Sequence, residues 1–235
     1  LRERVPTYAS GALLRQHPVE YLATAGPRLV DKGFRQMKMQ CGSEPTVSGS
    51  VERVRVMRES IGPDVDLMCD INQLWSVPHA IRVGHAIEEY GLFWLEDPVA
   101  HDDFAGLATV ADALVMPIAA GEYQYGIVPF RHMLEARSVD IVMIDLLRVG
   151  GITQWMKVAG MAQAFNRPVV SHLIPEIHLH LMSAIPNALT VEYMPWTYRL
   201  WKEFPSVTDG HLSVPSAPGL GLEFNPETLT KYSLD

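Results

Sequence analysis

Three acidic residues, Asp70, Glu96 and Glu122, recur at even intervals, each closing its own strand-like run. Asp70 ends Val65-Asp66-Leu67-Met68-Cys69-Asp70, Glu96 ends Leu92-Phe93-Trp94-Leu95-Glu96, and Glu122 follows Met116-Pro117-Ile118-Ala119-Ala120-Gly121. If those runs are neighbouring parallel strands, their downstream ends share one rim and the carboxylates converge. Converging anions call for a hard cation, and an all-oxygen ligand set favours Mg²⁺ over zinc. Asp145 and His172 also close successive runs. A carboxylate beside an imidazole fixes its tautomer and raises its basicity, which makes a general base. The bland alternative for His172 is a cap on the following helix. Lys38 lies within the apolar stretch Met37-Lys38-Met39, so its ammonium needs an anionic partner and is placed to stabilise an oxyanion. Side chains alternate along a strand, so Gln40 shares the face of Lys38, and Asn72 that of Asp70. Both are candidate substrate-binding residues. Glu192, in Val191-Glu192-Tyr193, either bonds a substrate oxygen or pairs with Lys38 or Arg148; the sequence leaves this open.

The elements that must carry these groups follow from the pattern. Apolar or β-branched runs predict strands at 5–10, 34–40, 66–72, 92–97, 116–121, 141–146, 169–173 and 190–194. Helical patterns between them cover 18–32, 48–61, 76–90, 103–112, 127–137, 153–166 and 176–186, with Ser48 as a cap and Gly62-Pro63 as a stop. Seven helices between eight strands predict an α/β fold, a (β/α)7β-type TIM-like parallel barrel. An open doubly wound sheet would leave the polar strand ends unexplained, and no glycine-rich phosphate turn follows the first strand. We expect residues 1–203 to form the barrel. Residues 204–235, rich in Pro and Gly, are expected to form a tail with short hairpin pieces, packed on the barrel or on another domain.

The 235 residues are 48% hydrophobic, enough for one large core, and carry a net charge of −8. That charge disfavours nucleic acid and anionic membranes as partners. Arg53, Arg55 and Arg58 read as a solvated helix face. His79, His85, His101, His132, His178, His180 and His211 fall on helices or loops, where surface placement is the expectation. Cys41 and Cys69 do not make a disulfide framework, and no leader or membrane span is visible, so the cytoplasm is the expected compartment. Trp196, Tyr198 and Trp201 read as either tail packing or the interface of an expected homo-oligomer.

These residues together resemble the enolase superfamily, and within it the mandelate racemase subgroup. The stretches that carry the resemblance are Trp94-Leu95-Glu96-Asp97-Pro98, Gly121-Glu122, Asp145 with Arg148-Val149-Gly150-Gly151, Ser171-His172-Leu173, His211-Leu212-Ser213-Val214-Pro215 and Pro218-Gly219-Leu220-Gly221. The resemblance implies Mg²⁺ on Asp70, Glu96 and Glu122, a His172–Asp145 general-base dyad, and Glu192 stabilising an enolate opposite Lys38. It also implies an N-terminal capping domain over the barrel mouth. None is visible in this sequence, so full activity is expected to need one.

One departure directs the functional reading. The subgroup pattern has a second lysine base where this chain has Gln40, and an amide cannot take a proton at neutral pH. Racemisation needs an acceptor on each face of the α-carbon; dehydration needs one. The expectation is therefore a lyase, a Mg²⁺-dependent dehydratase of a sugar acid. It would remove the proton α to the carboxylate and lose the β-hydroxyl to give a 2-keto-3-deoxy acid. The alternatives are a racemase or epimerase of a 2-hydroxy acid, and a sugar-acid-binding homologue without turnover.

Overall fold

A computed structural model describes residues 1–233. Eight parallel strands close on themselves: β1 (Arg4–Leu13), β2 (Gln36–Gln40), β3 (Asp66–Asp70), β4 (Trp94–Glu96), β5 (Ile118–Ala120), β6 (Ile141–Asp145), β7 (Val169–His172) and β8 (Ala188–Tyr193). Each pairs with the next, and β1 pairs with both β2 and β8, which completes the predicted barrel.

Helices on the outside connect the strands: α1 (Val19–Asp31), α2 (Val47–Ile61), α3 (Val77–Ile87), α4 (Phe104–Ala113) and α5 (Val128–Glu135), then α6 (Leu146–Val149), α7 (Ile152–Ala164) and α8 (Pro175–Ala184). The four-residue α6 was not expected from the sequence. It forms because Asp145 caps it directly, accepting from Leu147 N and Arg148 N. The cap of α2 is Thr46 rather than Ser48: Thr46 Oγ1 accepts from Gly49 N at 3.1 Å, and Ser48 lies inside the first turn. Gly62, with φ at 79°, ends that helix as expected.

Strand alternation sorts the core into two parts. Tyr8, Met68, Trp94, Ala119, Met143 and Val170 point inward and fill the barrel base. Met37, Met39, Leu67, Cys69, Leu95, Ile118, Val142, Ile144 and Val191 point outward beneath the helices. Two residues beyond an inward apolar side chain, the same face becomes polar: Met68 leads to Asp70, Trp94 to Glu96, Met143 to Asp145 and Val170 to His172. Register holds these ends level, with Gln40 opposite Asp70, Asp70 opposite Glu96, and Asp145 opposite His172.

The solvated-face reading of the α2 arginines fails for Arg53, which is 4% exposed. Its guanidinium donates to Gln40 O, His17 O and Leu14 O, each at 2.9 Å, and faces Glu44 at 3.5 Å. Five fixed donors let an arginine satisfy several loop carbonyls at once, a use that helix periodicity does not reveal. Arg58 likewise serves carbonyls, those of Tyr90, Gly62, Val65 and Gly91, while Arg55 is the exposed member, paired with Glu52 and Glu59. Arg53→Leu is expected to lower stability by roughly 2–4 kcal/mol in urea unfolding, because three carbonyls lose their donor.

After β8 the chain folds back along the barrel. β9 (His211–Ser213) runs antiparallel to the upstream part of β1, with Val5 opposite Leu212. A last helix, α9 (Pro226–Tyr232), is capped by Asn225. Tyr198 stacks on Phe204 at 4.1 Å and Trp201 on Phe224 at 4.7 Å, so both serve tail packing. Trp196 is 61% exposed beside the barrel mouth. Among the described residues, no helix is long and apolar enough to cross a membrane. Cys41 and Cys69 are free and buried, with sulfurs 3.8 Å apart.

Candidate active site

The carboxyl ends of the strands surround a cleft of about 240 Å³. Lys38, Gln40, Asp70, Asn72, Glu122, His172 and Glu192 all line it, together with Tyr123, Arg148 and Trp196. Glu96 lies just beneath and Asp145 just behind; both are buried.

Lys38 resolves its burial by pairing twice, with Glu96 Oε1 at 2.5 Å and Glu192 Oε1 at 3.1 Å. Burial disfavours its charge, but those two carboxylates outweigh burial and hold its pKa well above the ordinary lysine value. Glu192 therefore takes one of the alternatives left open by the sequence, pairing with Lys38 rather than Arg148. Its other oxygen accepts from Leu173 N at 2.6 Å. Burial works to raise the Glu192 carboxyl, yet Lys38, His172 and the Leu173 amide hold it down at about 2. Arg148 instead donates to Glu122 O at 2.9 Å and lies over the Tyr123 ring.

His172 Nδ1 and Asp145 Oδ2 are 2.7 Å apart, across the register pair of β6 and β7. Asp145 keeps its other oxygen on the α6 amides, so the carboxylate is fixed and its pKa lies below the usual value despite burial. With Nδ1 donating to Asp145, His172 turns Nε2 towards the cleft, 3.2 Å from Glu122 Oε2. Burial alone would lower the His172 pKa; the Asp145 hydrogen bond and the Glu122 charge raise it. The backbone turns sharply behind it, Leu173 and Ile174 both having positive φ. His178 secures that turn, with Nδ1 2.7 Å from Leu173 O.

Surface placement is thus wrong for His178, which has no exposure. Its position on α8, facing the barrel, is set by the tight turn after β7. Burial lowers its pKa to about 4 from an ordinary 6.5. The folded state resists protonating it, so stability is full above pH 6.5 and is lost as pH falls towards 4. That loss amounts to about 3 kcal/mol. His178→Asn, which keeps a donor for Leu173 O, is expected to remove this part of the acid sensitivity in denaturation followed between pH 7 and 4.

Of the three acids expected to share an ion, Glu96 and Glu122 come together, but with Asp97 rather than Asp70 as the third member. Glu96, Asp97 and Glu122 each offer an oxygen within 4.8 Å of the others. Asp97 was not singled out in the sequence, although it stands beside Glu96. A strict two-residue alternation would turn it outward, but its positive φ of 40° breaks the alternation and redirects it. Both its oxygens are fully buried without a hydrogen-bond partner. Asp70 stands opposite Glu96 in register, and Asn72 donates to both of its oxygens, from N at 2.8 Å and Nδ2 at 2.7 Å. Burial and mutual repulsion push the Glu96, Asp97 and Glu122 carboxyls above their ordinary values. Buried, crowded, all-oxygen and short of positive charge, this cluster fits a hard divalent cation. Gly121, at φ 131°, delivers Glu122: a Cβ there would lie 2.4 Å from Met143 O.

A family model described as enolase C-terminal domain-like matches residues 20–228. This chain belongs to that family. A 3,6-anhydro-alpha-L-galactonate cycloisomerase of Streptomyces coelicolor is 33% identical over 98% of this chain and 63% of its own length. An L-talarate/galactarate dehydratase of Salmonella typhimurium is 32% identical over 84% of this chain and 49% of its own length. The crystal structure of an L-talarate dehydratase from Polaromonas, complexed with Mg and L-glucarate, superposes with a TM-score of 0.93 at 31% identity. It is matched over 98% of this chain and 64% of its own. The chain thus spans roughly half to two-thirds of the length of these relatives.

Proposed function

We propose that this chain is the barrel of a Mg²⁺-dependent sugar-acid dehydratase, a hydro-lyase. The observation that carries the reading is the His172–Asp145 pair facing the cleft, with Lys38 and the acid cluster on the same rim. Relatives named as dehydratases of talarate, arabinonate and rhamnonate support the reaction class. Asp70, Glu96 and Glu122 would hold the ion, with Asp97 facing the same point. When bound, Mg²⁺ supplies positive charge against the substrate carboxylate and makes the α-proton more acidic.

The chain's own residues supply the remaining steps. His172 Nε2 takes the proton from C2, with Asp145 holding the ring in the tautomer that leaves Nε2 free to accept. Negative charge passes into the carboxylate, where the Lys38 ammonium donates to it. Glu192 acts by holding Lys38 and the amide of Leu173 in place. The imidazolium then returns its proton to the departing C3 hydroxyl. The C3–O bond breaks and water leaves. The resulting enol tautomerises to the 2-keto-3-deoxy acid. Gln40 and Asn72 present amides to the substrate hydroxyls.

A library of sugar acids assayed with Mg²⁺ for 2-keto acid tests this. Saturable binding with no product from any acid, once a capping domain covers the mouth, would instead support a binding-only homologue. The epimerase reading is favoured by one neighbour, a Streptomyces coelicolor structure described as a racemase with bound magnesium. Gln40 weighs against it here. Gln40→Lys would place an amine beside Arg15, whose charge depresses the amine pKa towards a useful base. In D₂O this variant is expected to incorporate deuterium at C2 of recovered substrate at least about tenfold faster than the parent.

A further inference from the structure

The arginines around the mouth differ in how their donors are used. Arg53 serves three backbone carbonyls and faces Glu44. Arg148 holds Glu122 O and covers Tyr123. Arg15, in the loop after β1, is half-buried and gives its donors to two side-chain carbonyls. Nη2 donates to Asn72 Oδ1, and Nε to Gln40 Oε1 at 3.5 Å. Among the described residues no carboxylate lies within ion-pair distance of Arg15.

This loop is held in place from behind. Arg53 ties Leu14 O and His17 O to Gln40 O, so one buried guanidinium locks the Arg15 loop onto the end of β2. His17 also stacks on Tyr21 at 4.1 Å. Both amides touched by Arg15 line the cleft. Because Arg15 takes their oxygens, their N–H groups turn away from it: Asn72 towards Asp70, and Gln40 towards Asn72 Oδ1 at 3.1 Å. Lys38 lies two residues earlier on the same face of β2, roughly 7 Å deeper. Arg15 does not itself line the cleft, but its contacts with Gln40 and Asn72 set it at the cleft's edge, where the chain of a sugar acid with its reacting carboxylate at Lys38 would arrive if it ran outward along β2.

We propose that Arg15 and Gln40 form the subsite for the far end of the substrate, and that the anion Arg15 lacks is the substrate's second carboxylate. The substrate class is then a polyhydroxy diacid rather than a sugar monoacid. This rests on the sugar-acid reading above and narrows it. A guanidinium pairs with a carboxylate through two parallel charge-assisted hydrogen bonds, whereas a terminal hydroxymethyl group offers only a neutral acceptor.

Calorimetric binding to the 235-residue chain with Mg²⁺ tests the assignment, in a His172→Asn background so that bound acid is not consumed. The ligands are a six-carbon sugar diacid and the monoacid of the same configuration. The diacid is expected to bind at least about tenfold more tightly. Adding Arg15→Met should erase that preference by weakening the diacid at least about tenfold more than the monoacid, and Arg15→Lys should keep part of it. If Arg15→Met does not fold, Arg15→Gln decides the same question. A parent without preference would overturn the proposal. So would equal weakening of both acids, which would make Arg15 only a positioning residue for Asn72. Failure of both acids to bind the parent would remove the sugar-acid reading itself, and this assignment with it.

Discussion

His172→Asn is expected to lower kcat for 2-keto acid formation by about 10³-fold or more while leaving Mg²⁺ affinity nearly unchanged. Asparagine is close to imidazole in its Nδ1 half and can still donate to Asp145, so the fixed carboxylate at 2.7 Å keeps a partner. It has no group at the Nε2 position that can take a proton, and a positioned general base is worth typically 10²–10⁴-fold. The same imidazole is required a second time, as the acid for the leaving hydroxyl, which puts the expected loss towards the upper end. Asp145→Asn should lose less. The ring would remain, but a donor opposite Nδ1 would favour the wrong tautomer. A kcat within tenfold of the parent for His172→Asn, with product confirmed, would mean that the proton leaves by another route.

Lys38→Met is expected to affect both turnover and stability. Lys38 is the cation at the centre of a buried group of acids, in contact with Glu96 and Glu192 and close enough to Asp70 to feel its charge. Removing one partner of a buried ion pair leaves the other charge uncompensated, at a cost of about 3–5 kcal/mol. Glu192 should then lose the largest of the influences that hold its pKa down, so its carboxyl moves upward. Loss of a fixed donor to a developing oxyanion removes a further 10²–10³-fold from kcat. Thermal unfolding without added metal would show a large drop in Tm. Mg²⁺ should restore more of the Tm in this variant than in the parent, because the ion replaces part of the missing charge. An unchanged Tm would show that the acids share protons well enough without Lys38.

Much of this site is legible in the sequence because barrel geometry is periodic. Asp70, Glu96, Asp145 and His172 each stand two residues beyond an inward apolar residue, and the pattern of runs identifies each strand end. What was not legible depends on departures from periodicity. Asp97 enters the cluster through a single left-handed residue. His178 is buried because the turn after β7 is tight, although its neighbours read as an ordinary helix. Arg15 and Arg53 act through carbonyl and amide oxygens supplied by distant loops. No spacing rule encodes such contacts, since they depend on how three separate loops meet.

The alternation that places an apolar side chain at the barrel base and a polar one at its top also constrains how such a chain can diverge. Inserting one residue early in β3 would exchange the two faces of everything downstream on that strand, removing Met68 from the base and Asp70 from the rim in a single step. An insertion beyond residue 73 would cost neither. Length changes between descendants of this barrel should therefore collect in the segments past the strand ends, where new substrates can be tried without dismantling the foundation or the chemistry.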